Sequence, residues 1–142
     1  MFKKIVLSSD HGGFYLKEKV KKFLVNKHFE VDDLGCNSLD PVDYPDYAKS
    51  LSDKLKNNKD HGGILFCGTG IGISMAANRF KHIRAALCTT VEMAAKSRKH
   101  NDANVLALGG RILAEDLALD IVEEFLKTDF EAGRHSLRVN KI

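Results

Sequence analysis

At 142 residues the chain is the size of one domain, and a tandem of two catalytic units is excluded. A hydrophobic share of 44% beside 29% charged residues, with 11 Gly and only 2 Pro, describes a globule able to bury a core and excludes disordered and fibrous classes. A net charge of +3 excludes a strongly basic nucleic-acid binder, and no run nears the roughly 18 apolar residues of a membrane span.

Short apolar runs alternate with segments of helical period, the pattern of parallel strands joined by crossover helices. The first strand is predicted over Lys4 to Ser8, and after Gly12-Gly13 the residues Leu16, Val20, Phe23 and Leu24 share one helical face. The lysines at 17, 19, 21, 22 and 27 then fall mostly on the wet face. Phe29 to Leu34 reads as a second strand, and Pro41 and Pro45 bracket a loop before the helix carrying Tyr47, Ala48, Leu51 and Leu55. Gly63 to Cys67 is the third strand; it runs into Gly68-Thr69-Gly70-Ile71-Gly72 and a small-residue helix from Ser74 to Asn78. Ile83 to Cys88 gives a fourth strand, Val91 to Lys99 a helix, and Val105 to Leu108 a fifth strand. Leu113, Leu117, Ile121, Phe125 and Leu126 make the clearest apolar stripe, and residues 128–142 read as a polar tail with Arg134 and Arg138.

In an open parallel sheet, ligands bind at the carboxyl ends of the strands. The residues to inspect are therefore Ser9 to Gly13, the loop holding Tyr44, Cys67 with the glycine loop, Thr89-Thr90, Gly109-Gly110-Arg111, and His100-Asn101-Asp102 before the fifth strand. Glycines between a strand and a helix let backbone amides converge on an anion. Gly68-x-Gly70-x-Gly72 is neither the dinucleotide fingerprint nor a P-loop, so it serves either an anion or merely a tight turn. Cys67, beside those amides, is either a usable base or nucleophile or a buried small hydrophobe, the fate expected of Cys36 and Cys88. Three cysteines without zinc-type spacing suit a reducing cytosol, and the opening residues lack the apolar run of a signal peptide. A metal site of Asp10, His11 and His100 lacks ligand spacing and is set aside. Arg134 and Arg138, four apart, suit bidentate phosphate binding, against the plainer alternative of a solvated tail.

Taken together, Ser9-Asp10-His11-Gly12-Gly13, Asp43-Tyr44-Pro45, Cys67-Gly68-Thr69-Gly70-Ile71-Gly72-Ile73-Ser74, His100-Asn101-Asp102-Ala103-Asn104-Val105 and Gly133-Arg134-His135-x-x-Arg138-Val139 resemble the type B ribose-5-phosphate isomerases. The resemblance spans nearly the whole chain, and five motifs in the family's order are specific where any one alone is weak. It implies a Rossmann-like three-layer α/β/α sandwich with a five-stranded parallel sheet and a C-terminal tail, residues 1–142 forming one sugar-phosphate isomerase domain. It further implies a cytoplasmic homodimer, in some members a dimer of dimers, with each active site shared across the interface, a sugar phosphate as ligand, no nucleic-acid or membrane partner, and no cofactor or metal.

Carried over by position, Cys67 matches the base that moves a proton between C2 and C1 of the open-chain sugar. The amides from Gly68 to Ser74 (Gly68, Gly70, Ile71, Gly72, Ile73, Ser74) match the hole for the enediolate oxygen. Asp10 and His100 match residues of ring opening and proton handling, with Thr69 and Asn101 beside them and Tyr44 close to the sugar. His11, Arg111, Arg134 and Arg138 match phosphate contacts, some contributed by a partner subunit. Members without the cysteine carry a glutamate where this chain has Ile73, so Cys67 with Ile73 resembles the cysteine-base subtype. Galactose-6-phosphate isomerase subunits generally lack the His-Asn-Asp motif and the Arg-His-x-x-Arg tail, both intact here, which favours a pentose 5-phosphate. Allose 6-phosphate, one carbon longer, stays open, as does a non-catalytic sugar-phosphate or nucleotide sensor built on the same loop.

Overall fold

The computed structural model describes residues 2–142. In chain order the elements are β1 (Lys4–Ser9), α1 (Phe14–Asn26), β2 (Glu30–Asp33), α2 (Tyr44–Leu55), β3 (His61–Cys67), α3 (Ile71–Ala77), β4 (Ala85–Leu87), α4 (Val91–Asn101), β5 (Val105–Gly109) and α5 (Glu115–Lys127). A 3-10 turn (Gly133–His135) and α6 (Ser136–Val139) complete the chain. The five strands are parallel in the order β2-β1-β3-β5-β4. Winding reverses direction between β1 and β3, so the loops leaving these two strands diverge and open a crevice at the carboxyl edge.

Side chains alternate across the pleat, and each strand feeds two cores. Ile5, Leu7, Ile64, Phe66, Leu106 and Leu108 face α1, α4 and α5, where Val20, Leu24, Ala94, Ile121 and Phe125 close over them. Val6, Leu65, Cys67 and Ala107 face the other way, against Ala48 and Leu51 of α2 and Ile73 and Ala77 of α3. Side chains of the Leu, Ile and Phe type contribute roughly 1.5–3 kcal/mol each when removed from water, so the two apolar layers hold the sheet between them. The expected three-layer Rossmann-like sandwich is the observed architecture.

Boundaries shift for local reasons. Helix α3 starts at Ile71 rather than Ser74 because Gly70 takes φ 79°, the left-handed conformation glycine adopts freely, and turns the chain straight into the helix. Helix α2 begins at Tyr44, since Pro45 fits the first turn of a helix. The polar tail is folded, not trailing: Ala132 and Gly133 take φ of 56° and 53° and turn it back into the 3-10 turn and α6. Lys17 departs most from expectation, being fully buried instead of on the wet face; its ammonium meets Asp33 at 2.7 Å and also Glu18. Among the described residues no helix is long and apolar enough to cross a membrane.

Candidate active site

Three loops meet backbone to backbone at the carboxyl edge, and glycine makes the approach possible. A Cβ on Gly12 would stand 2.8 Å from the Gly68 nitrogen, and one on Gly110 would stand 2.7 Å from the Gly12 oxygen. The Gly110 amide donates to the Cys67 carbonyl at 2.8 Å and the Arg111 amide to Gly68 O at 2.9 Å. The ends of β1, β3 and β5 are thereby locked into one floor.

Cys67 closes β3 on that floor. It is 5% exposed, and its Sγ accepts the Gly70 N–H at 3.0 Å. The thiol therefore sits under the glycine loop, at the start of α3, where helix amides lack intrahelical partners. Some of those amides are already spent: Ile71 N–H donates to Thr69 Oγ1 at 3.2 Å and Ser74 N–H to Gly70 O at 3.2 Å. The Ser74 hydroxyl turns back to Ile71 O at 2.7 Å, and the Ile73 side chain is buried in the core under α3. The expected hole of amides from Gly68 to Ser74 is thus narrowed, with Gly72 and Ile73 in the first turn the best-placed donors.

Around Cys67 stand other expected residues. Asp10 is buried, with Oδ1 accepting the Gly13 amide at 3.1 Å, which fixes the carboxylate against the loop after β1. His11 Nδ1 accepts the Val42 N–H at 3.2 Å, an arrangement that puts the imidazole hydrogen on Nε2. The Tyr44 ring, half exposed, presses on Gly72, where a Cβ would stand 2.7 Å from the ring. The guanidinium of the exposed Arg111 lies over Gly68. Asp10, His11, Tyr44, Cys67, Thr69 and Arg111 form one cluster.

His100, Asn101, Arg134 and Arg138 do not join it, and the expectation that the His100 loop lies in the crevice is corrected. Helix α4 starts at the carboxyl edge after β4 and crosses back, so its last residues lie at the amino edge, beside the start of β5. There Arg98 and Arg84 both bind Asp102, and the Glu131 N–H donates to Lys99 O at 3.1 Å, pinning the C-terminal segment to the end of α4. His100 stacks on His135, a residue that sequence reasoning passed over although it lies inside the Arg134-His135-x-x-Arg138 run. Glu131, beside both rings, carried no signal at all. A cavity of 420 Å³ also lies at this edge, lined by Phe2, His61, Arg84, Arg98 and Asp102 among others, but its arginines are already committed to Asp102. Asp10 and His11 stand at the opposite edge from His100, so these three cannot share an ion within one chain.

Residues 5–142 match a family model described as Ribose/Galactose Isomerase. Over 140 residues the chain is 46% identical to ribose-5-phosphate isomerase B of Escherichia coli, covering 99% of this chain and 94% of that one. The structure of ribose-5-phosphate isomerase B from Clostridium thermocellum superposes with a TM-score of 0.95 at 50% identity, covering 97% and 93% of the two chains. The enzyme of the same name from Mycoplasma genitalium, solved with bound ribulose-5-phosphate, gives 0.94 at 46% identity over 97% and 92%.

Proposed function

This chain belongs to the ribose/galactose isomerase family, and from that premise we propose its chemistry. It is an aldose–ketose isomerase that interconverts D-ribose 5-phosphate and D-ribulose 5-phosphate. Residues 1–142 act as one cytoplasmic catalytic domain. The observation that carries the mechanism is the Cys67 sulfur held at 3.0 Å by the Gly70 amide beneath the glycine loop. In the open-chain aldose, Cys67 takes the C2 proton, the electrons move into a C1–C2 enediolate, and the same group returns the proton to C1 while a proton passes from O2 to O1. No electron leaves the sugar, so the step needs no redox partner.

Each partial charge has a candidate partner. The enediolate oxygen faces the amides of the loop and of the first turn of α3, and one such donor is typically worth about 10² to 10³ in rate. Asp10, with Thr69 beside it, handles the hydroxyl protons, and Tyr44 walls the sugar. His11 and Arg111 contact the phosphate, whose binding far from the reacting carbons supplies positioning.

A second copy of the chain completes the site. In a two-fold homodimer the partner subunit's His100 and Asn101 reach the sugar for ring opening, and the partner's Arg134 and Arg138 reach the phosphate. Two observations support this: the two clusters sit at opposite edges of one sheet, and exposed apolar side chains (Ile71, Met75, Met93, Ile112, Leu137) lie along the elements that carry them.

The test is proton NMR of the purified protein in D₂O with ribose 5-phosphate. Ketose formation with deuterium entry is expected for the wild type. Cys67→Ala is expected to lose at least about 10³-fold in turnover while still binding ribulose 5-phosphate. Full turnover in that variant would remove Cys67 from the role of base.

A further inference from the structure

Three side chains gather where the C-terminal segment folds over the end of α4. The His100 and His135 rings lie face to face, centroids 4.3 Å apart and planes within 11° of parallel. Glu131 Oε2 stands 3.9 Å from His100 Nε2 and 3.6 Å from His135 Nε2, too far to hydrogen-bond either. His135 is 8% exposed, and its buried Nε2 makes no hydrogen bond, a costly state for a polar atom removed from water. All three donor atoms lie within 4.8 Å of one another.

We propose that His100 Nε2, His135 Nε2 and Glu131 Oε2 form a binding site for a divalent transition-metal ion of the zinc class, and that its occupancy stops turnover. The second half rests on the role given above to His100: an ion on Nε2 takes the lone pair that would exchange protons with the sugar.

Two imidazoles and one carboxylate are a donor set zinc accepts in open sites, with water as the fourth ligand. Ligand bonds of roughly 2.0–2.1 Å in a tetrahedron set neighbouring donors about 3.4 Å apart, so the two glutamate contacts need to close by only a few tenths of an ångström. The rings leave their stack by rotation about the soft terminal torsion of the half-exposed His100. Metal binding uses the neutral imidazole, and the buried His135 Nε2 has no competing hydrogen-bond partner.

The backbone preorganises the site. The Glu131 amide is bound to Lys99 O and the His135 amide to Ala132 O at 3.0 Å, and the positive-φ turn at Ala132 and Gly133 brings both side chains to bear on His100. Arg134 and Arg138 are exposed, so their repulsion of a cation is screened by solvent. Magnesium and calcium, which demand mostly oxygen ligands, find one carboxylate here and are expected not to bind.

The test is calorimetric titration of zinc at neutral pH into the wild type and into Glu131→Gln, His135→Ala and Cys67→Ala, with cobalt as a spectroscopic probe of imidazole coordination. Expected are one ion per chain in the wild type and Cys67→Ala, binding at least about tenfold weaker in Glu131→Gln and His135→Ala, and no heat with magnesium. No binding to the wild type, binding unchanged in Glu131→Gln and His135→Ala, or binding lost in Cys67→Ala would each overturn the site. With ribose 5-phosphate, zinc abolishes wild-type turnover and a chelator restores it. Glu131→Gln turns over normally without metal and needs at least about tenfold more zinc for inhibition. Zinc bound as expected with turnover unaffected would keep the metal site and overturn the role of His100 in the reaction.

Discussion

At the scale of single residues the site depends on what is missing as much as on what is present. A Cβ at Gly12 would stand 2.8 Å from the Gly68 nitrogen and 3.3 Å from Asp10 Oδ1, with backbone on one side and a buried carboxylate on the other. Neither neighbour is the free end of a flexible chain, so Gly12→Ala has to push the glycine loop away from the loop after β1. Misplacement near 1 Å in a preorganised site costs about 10² in kcat, and KM is expected to rise with it, because the Gly68 that the new Cβ displaces also holds the Arg111 amide at 2.9 Å. Steady-state kinetics checks this: an unchanged kcat in a variant of normal thermal stability would mean that the contact of the two loops does not set the geometry. The strand-to-helix turn at residues 68–72 was legible from the sequence, because glycines between a strand and a helix have a local meaning. Gly12 and Gly110 were visible as turns only; their packing partners lie on other strands, and no local pattern encodes that.

At the scale of elements, the link between α1 and β2 hangs on a charge that periodicity assigns to solvent. Lys17 is sealed in, and its ammonium shares Asp33 with Lys21 at 2.7 and 2.8 Å. Burial pushes the Asp33 carboxyl up, but the hydrogen bonds from Lys17, Lys21 and the Gly35 amide outweigh it and hold Asp33 below its ordinary 3.8. A carboxyl depressed on folding contributes stability above its unfolded value near 3.9, and that contribution fades as pH falls through the lower folded value. Lys17→Met keeps the stem's packing and removes the charge, leaving Asp33 to Lys21; it is expected to cost about 2 kcal/mol at pH 7, or about 6 °C in Tm. The gap between variant and wild type should begin to narrow as pH falls below the unfolded carboxyl value near 3.9, toward the lowered folded value of Asp33. Urea midpoints give the answer, and an equal gap at pH 7 and pH 3 would show that the loss is packing alone. The sequence hides this because a lysine three residues from Phe14 and Val20 looks the same whether its tip reaches water or a carboxylate on the next strand. The position of His100 was misplaced in the crevice although connectivity encodes it: a crossover helix that starts at the carboxyl edge must end at the amino edge.

At the scale of the whole molecule, that same connectivity sets the thiol and glycine loop at one edge and the His100, Arg134 and Arg138 cluster at the other, and the site proposed above joins them across two copies. The strands and the thiol with its loop are written in local patterns; the proposed pairing of the two clusters is not, because it is a relation between copies. An isologous dimer brings each half-site against the complementary one twice, which gives a test that mixing alone performs. Cys67→Ala and His100→Ala homodimers each carry two broken sites. Unfolded together and refolded at equal concentration, the two chains give mixed dimers as about half of the population by random pairing. In each mixed dimer one site holds both substitutions, while the other is built from an intact Cys67 and the partner subunit's intact His100. About a quarter of the wild-type site concentration is therefore expected to return, with wild-type KM at the restored sites. Activity that stays at the level of the separate variants, in material shown by light scattering to have formed mixed dimers, would place Cys67 and His100 in the service of the same subunit and remove the shared site. Recovery of about a quarter, rather than some arbitrary gain, is the signature of one restored site in each mixed dimer, because cross-stabilisation of two damaged but self-contained sites carries no such stoichiometry.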